Sequence, residues 1–131
     1  MLLRARNLLL LRKRYYRIPF RTETPMSAPT SSKVVSLGEL AARVAPGSML
    51  GLGGSFLHRG PFALVRELAR QRVGDLEIVK PSPGYDLDLL CRAGLVRRAR
   101  AGIVAMEANF GLARGFRKAI ESKKAAFEEH A

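Results

Sequence analysis

Ser48-Met49-Leu50-Gly51-Leu52-Gly53-Gly54 is the stretch that decides the fold. A brief apolar run closing on a glycine pair is the signature of a buried parallel strand that turns sharply at its carboxyl end. Pro61 follows, suited to a first helical position. Residues 61–72 then place Phe62, Val65, Leu68 and Ala69 on one side and Arg66, Glu67 and Arg70 on the other, the stripe of an amphipathic helix that covers one face of a sheet. Leu76-Glu77-Ile78-Val79 predicts a second strand, Asp86 is expected to cap a helix running to about Ala93-Gly94, and Ala101-Gly102-Ile103-Val104-Ala105 predicts a third strand. Residues 112–122 suggest a further helix. Upstream, Ser36-Leu37-Gly38-Glu39 has the form of a capping box, with Leu40, Ala41 and Val44 on one helical face and Pro46-Gly47 as the stop. This alternation of strands and helices predicts right-handed crossovers, an α/β class and a mainly parallel sheet with flanking helices.

The 131 residues suffice for one domain with a real core and not for two. Folded structure is expected over residues 33–131. Residues 1–32 are Arg- and Leu-rich, then Ser/Thr/Pro-rich, and read as a basic, disordered extension. The formal charge of +12 looks like a nucleic-acid signature until it is located: Arg4, Arg6, Arg12, Lys13, Arg14, Arg17 and Arg21 all precede Glu23, the first acidic residue. No regular basic face with interleaved aromatics accompanies them beyond Tyr15 and Tyr16, so no nucleic-acid partner is expected. Arg12-Lys13-Arg14 cuts the leucine run short of the roughly 18 to 20 apolar residues that span a bilayer, so no membrane partner is expected either. Translation from Met26 and a cytoplasmic location are the readings adopted, with a mitochondrial presequence over residues 1–25 as the alternative. Cys91 is the only cysteine, which excludes an internal disulfide, fits a reducing compartment and leaves no paired Cys spacing for zinc. With His130 isolated near the chain end, no metal site is expected.

In parallel α/β sheets ligands bind beyond the carboxyl ends of the strands. Three segments fall there: residues 53–60, 80–85 and 106–111. In the first, the backbone amides of Gly53, Gly54, Ser55 and Phe56 can approach an anionic or carbonyl group without a Cβ in the way. It is no dinucleotide fingerprint, since the third glycine would fall at Phe56, and no P-loop Lys-Ser/Thr follows. His58 and Arg59 offer cations to a carboxylate or phosphate, against the alternative of a solvated loop pair.

From Gly53 to Val65 the order of glycine pair, aromatic, proline resembles the signature of family I coenzyme A transferases. The likeness continues through Asp75-Leu76-Glu77-Ile78-Val79, then Pro83-Gly84-Tyr85-Asp86-Leu87-Asp88-Leu89-Leu90, then Ala93-Gly94-Leu95-Val96, in the manner of the A (alpha) subunit of the glutaconate branch. It spans residues 35–131. The chain departs from that pattern at Pro46, at Ser55 where Phe is common, and at Arg59 where the signature has glycine. The resemblance implies a scaffold shared with sugar-phosphate isomerases, with Rossmann-like layers, and an acyl-CoA:carboxylate CoA-transferase working through a glutamyl-CoA thioester. The nucleophilic glutamate is then expected on a B subunit, in a Ser-Glu-Asn-Gly motif that this chain lacks.

The expected substrate is a coenzyme A thioester with no bound cofactor, and the expected assembly an A/B heterodimer or A2B2, inactive as the lone chain. Gly53, Gly54, Ser55, Phe56, His58, Arg59, Pro83, Gly84, Tyr85, Glu107 and Asn109 are expected to line the substrate and CoA site, Glu107 from a strand end. Hydrolysis or ring opening of a CoA thioester is the alternative chemistry, and a non-catalytic binding or regulatory module on the same scaffold is the rival of a different class. By the same resemblance the A-type chain is longer than this one, so the sheet is expected to be incomplete. Residues 123–131 read as the approach to another strand.

Overall fold

A computed structural model describes residues 34–130; the basic extension lies outside the described residues. Eight elements follow in order: α1 (Leu37–Ala42), β1 (Met49–Gly51), α2 (Phe62–Gln71), β2 (Leu76–Val79), α3 (Tyr85–Arg92), β3 (Val96–Ala101), α4 (Arg114–Glu121) and β4 (Ala126–Glu129). The four strands pair in the order β1-β2-β3-β4, every pair parallel. Because each strand lands on the same side of the one before it, crossovers of one hand lay their helices on one face. Accordingly α2 packs on α1 and α3, and α3 packs on α4. Beneath them Val65, Leu68, Leu76, Ile78, Leu87, Leu90 and Ala99 are sealed from solvent. Phe116 of α4 meets Phe127 of β4 edge to face at 5.3 Å.

The opposite face of the sheet is ionic. Arg100 Nε lies 2.9 Å from Glu77 Oε1 and 3.0 Å from Glu128 Oε2, and Arg97 and Arg98 add contacts to the same two carboxylates. This explains the main correction to the sequence reading. The third strand is Val96–Ala101, five residues earlier than the apolar run beginning at Ala101. A search for apolar runs passes over a strand whose three arginines answer carboxylates on its neighbours.

Smaller corrections concern helix ends. The Ser36 capping box is formed, but α1 stops at Ala42, short of Pro46. Pro61 is the residue before α2 and not its first, and α4 begins two residues later and ends one earlier than expected. Asp86 does not cap α3; Gly84 occupies that position and Asp86 sits buried in the first turn. The strand foreseen after Lys123 is β4.

The amino end of α4 is capped from another helix. Ala113 offers no side-chain acceptor there, and Asp88 of α3 takes its place: Oδ1 accepts from the Gly115 and Phe116 amides at 2.5 and 3.2 Å, while Arg92 Nε donates to Oδ2 at 2.6 Å. Gly115 allows the approach, since a Cβ there would fall 2.7 Å from the Asp88 carbonyl oxygen. Asp88→Ala is expected to cost about 2–3 kcal/mol, the worth of a charged cap plus the buried amide it leaves unpaired. A chemical denaturation midpoint unchanged from the parent would refute this.

Candidate functional site

Beyond the carboxyl ends of β1, β2 and β3 the chain forms three loops laid side by side. The first, residues 52–61, folds back at a tight turn in which the Ser55 amide donates to the His58 carbonyl at 2.9 Å and the His58 amide to the Ser55 carbonyl at 2.7 Å. Gly54 makes the turn possible: its φ is 85°, and a Cβ would lie 2.5 Å from the His58 carbonyl oxygen. Gly53 is different, exposed and with no atom within 4 Å of where a Cβ would sit, so its backbone is open to a ligand. Arg59 has φ 53°, the left-handed conformation that a glycine there would take without strain.

The second loop, residues 80–84, is the middle layer. Pro81 and Pro83 have no amide hydrogens, and the strip presents carbonyls to its neighbours. The Pro81 carbonyl accepts from Gly102 and Ile103, Ser82 from Phe56 at 2.8 Å, and Pro83 from Ala105 at 3.3 Å. Gly84 is wedged between the outer layers, because a Cβ would meet the Ala105 carbonyl oxygen at 2.7 Å and the Phe56 backbone at 3.0 Å. Tyr85, next along, stands edge to face against Phe62 at 5.3 Å.

Below this strip is an ion pair that takes no solvent. Lys80 Nζ donates to Asp86 Oδ2 at 2.5 Å, with both side chains 0% exposed. Asp86 Oδ1 also accepts the Gly84 and Leu87 amides, each at 3.0 Å. Sequence reasoning missed Lys80 as a site residue, although a lysine ending an apolar strand and entering a Pro-Ser-Pro-Gly run was there to be noticed.

The third loop, residues 102–113, carries Glu107. It is not at a strand end, because β3 closes at Ala101; it opens a turn in which its carbonyl accepts the Phe110 and Gly111 amides at 3.1 and 3.0 Å. Its φ of 82° lies where non-glycine residues are strained by about 1 kcal/mol or more. From there its carboxylate reaches across to the first loop, with Oε1 2.9 Å from His58 Nε2. The Glu107 side chain is 29% exposed and that of His58 72%, so a partly shielded carboxylate lies at ion-pair distance from an open imidazole, its Oε1 buried without a hydrogen bond. Of the predicted residues, Gly54, Ser55, Phe56, His58, Pro83, Gly84 and Glu107 are thus joined by backbone bonds or direct contact. The exposed Arg59 and Asn109 side chains take no part in that arrangement.

Two cavities of about 320 Å³ lie elsewhere, between the third loop and α4, with no lining residue from the first two loops; one has Leu112, Phe116 and Ile120 in its wall and the other Phe110, Arg114 and Lys118. Burial, and after it the Asp88 charge, pushes the Cys91 thiol up to about 12, which leaves it inert as a nucleophile. Among the described residues no group of three or more His, Cys, Asp and Glu side chains could hold a metal ion, and no helix is long and apolar enough to cross a membrane.

A family model described as coenzyme A transferase matches residues 34–130. The chain is 41% identical over 75 residues to the cholesterol ring-cleaving hydrolase IpdA subunit of Rhodococcus jostii (strain RHA1), an overlap of 57% of this chain and 25% of the relative. It is 36% identical over 103 residues to the A subunit of glutaconate CoA-transferase from Acidaminococcus fermentans, covering 76% of this chain and 31% of the relative. Glutaconate coenzyme A-transferase from Acidaminococcus fermentans is also a structural neighbour, with a TM-score of 0.72 and 33% identity over 76% of this chain and 32% of that one. A second structural neighbour is a variant of the decarboxylase AibA/AibB, with a TM-score of 0.69 and 28% identity over 74% of this chain and 38% of that one. The chain therefore spans a quarter to about a third of the length of the curated relatives it matches.

Proposed function

Because this chain belongs to the coenzyme A transferase family, we propose that it forms the A-type side of an acyl-CoA site that a B-type subunit completes. The observation that carries this reading is the lamination of the three carboxyl-edge loops, which sets Gly53, His58 and Glu107 on one edge. In this reading a glutamate of the B-type chain attacks the thioester carbonyl and expels CoA thiolate, leaving an acyl-glutamyl anhydride. The thiolate attacks the glutamyl carbonyl, releasing the donor acid and forming a glutamyl-CoA thioester, and the acceptor carboxylate runs the same steps in reverse to leave with CoA and free the glutamate. The A-type chain contributes the walls and orientation. Open backbone at Gly53 and the turn at Ser55 accommodate the thioester, while Arg59 offers positive charge and His58 a ring nitrogen to a substrate carboxylate.

Hydrolytic opening of a ring in a CoA thioester is the second reading. The resemblance to the ring-cleaving hydrolase subunits and the Glu107–His58 contact favour it. Glu107 then takes a proton from water as its oxygen adds to a ring carbonyl, the adjacent ring C–C bond breaks, and the proton passes from Glu107 to the departing carbon, leaving a carboxylic acid with the thioester intact, while His58 steadies the carboxylate.

Co-expression with a B-type subunit tests both. The complex is expected to exchange CoA between succinyl-CoA and free acids, and the chain alone to do nothing. Exchange by the purified chain without a partner, or a complex inert toward every CoA thioester tried, would overturn the proposal. Uptake of one water with the thioester intact would identify the second reading.

A further inference from the structure

Lys80 and Asp86 are completely buried, oppositely charged and six residues apart in sequence, and neither touches the surface where substrate would bind. Stability is a poor explanation for them. Removing two charges from water costs about as much as their attraction returns, and apolar residues of the same volume generally serve a core as well or better. What the pair does supply is geometry. It closes the base of the loop 80–84, fixing Asp86 so that Oδ1 holds the Gly84 and Leu87 amides. With prolines at 81 and 83, the Gly84 amide is a rare donor along this strip, and Asp86 receives it. Gly84 in turn is the spacer between Phe56 and Ala105, the backbones that lead to His58 and Glu107.

We propose that Lys80 and Asp86 are positioning residues of the acyl-CoA site: a buried ionic staple that fixes Gly84 and so sets how far apart the His58 and Glu107 loops stand. Its bearing on turnover rests on the function proposed above; its bearing on loop order does not.

The test compares two double variants of the full chain. K80M/D86L replaces both charges by apolar side chains, the leucine bulkier than the aspartate, and removes the acceptor for the Gly84 amide, whereas K80M/D86N retains one. In K80M/D86L, amide exchange at Phe56, Ile103 and Ala105, which donate to the strip, is expected to accelerate at least about tenfold, with Leu76 and Leu95 within about twofold of the parent. K80M/D86N, which keeps an acceptor for the Gly84 amide but not the ion pair, recovers only part of that protection. A merely structural pair would change protection at all of these sites together; uniform change, or none, overturns the proposal. In complex with a B-type subunit, K80M/D86L is expected to lower kcat about tenfold or more at nearly constant KM, since misplacement of site groups by about 1 Å is that costly. An unchanged kcat overturns the positioning role. A wild-type complex without thioester turnover sinks the proposed function instead, and the exchange pattern then decides loop order by itself.

Discussion

Lys80→Met alone is expected to remove about 3–5 kcal/mol of folding stability, the usual result of stripping one partner from a buried ion pair. Asp86 would keep the Gly84 and Leu87 amides but lose its cation in a place without solvent. Against a typical stability of about 5–15 kcal/mol, such a loss leaves a domain close to its unfolding threshold. Denaturant unfolding of the full chain measures it. Replacing Asp86 by leucine in the same molecule should return part of the deficit, since no charge then remains buried although the Gly84 and Leu87 amides lose their acceptor, and that non-additivity distinguishes a paired charge from two independent core residues. A cost below about 1 kcal/mol for the single variant would mean that Lys80 is not held in that contact.

Glu107→Gln is expected to reduce hydrolytic opening by the complex about 10²–10⁴-fold, the contribution of a placed general base. The substitution preserves shape and the backbone at φ 82°, removing only the charge and the proton acceptor. CoA exchange should fall far less, by no more than about tenfold, because in that reaction the attacking carboxylate belongs to the partner. Parallel assays of the two reactions therefore separate the readings. Equal losses in both would show that Glu107 shapes the site without serving as its base. Replacing His58 with glutamine provides an internal check, since it removes the imidazole that lies 2.9 Å from Glu107 and leaves the carboxylate in place.

Much of the fold was legible in local pattern. The capping box at Ser36, the amphipathic stripe of α2 and the apolar β2 segment each depend on residues a few positions apart, and all three stand where the sequence puts them. Failure came where an element answers to distant chain. β3 is a strand because its backbone pairs with β2 and β4, where Arg98 and Arg100 meet Glu77 and Glu128, and no window along β3 contains either glutamate. Asp86 looked like a cap because aspartates near helix starts usually are. What made it otherwise was Lys80, and whether a lysine meets an aspartate six residues away depends on how the intervening loop folds.

By itself the sequence determined the succession of elements, the α/β class and the three loops that share the carboxyl edge, because hydrophobic period and Gly/Pro punctuation act over one or two turns of chain. Tertiary structure alone decided which side chains meet: His58 with Glu107, Lys80 with Asp86, and Asp88 with the amino end of α4. The reason is electrostatic. A charge exposed to water is worth little to its neighbour, and the same charge enclosed by packing must be answered at contact distance. Enclosure is a property of the assembled layers, so the residues that position this site acquire their roles only once the loops are stacked.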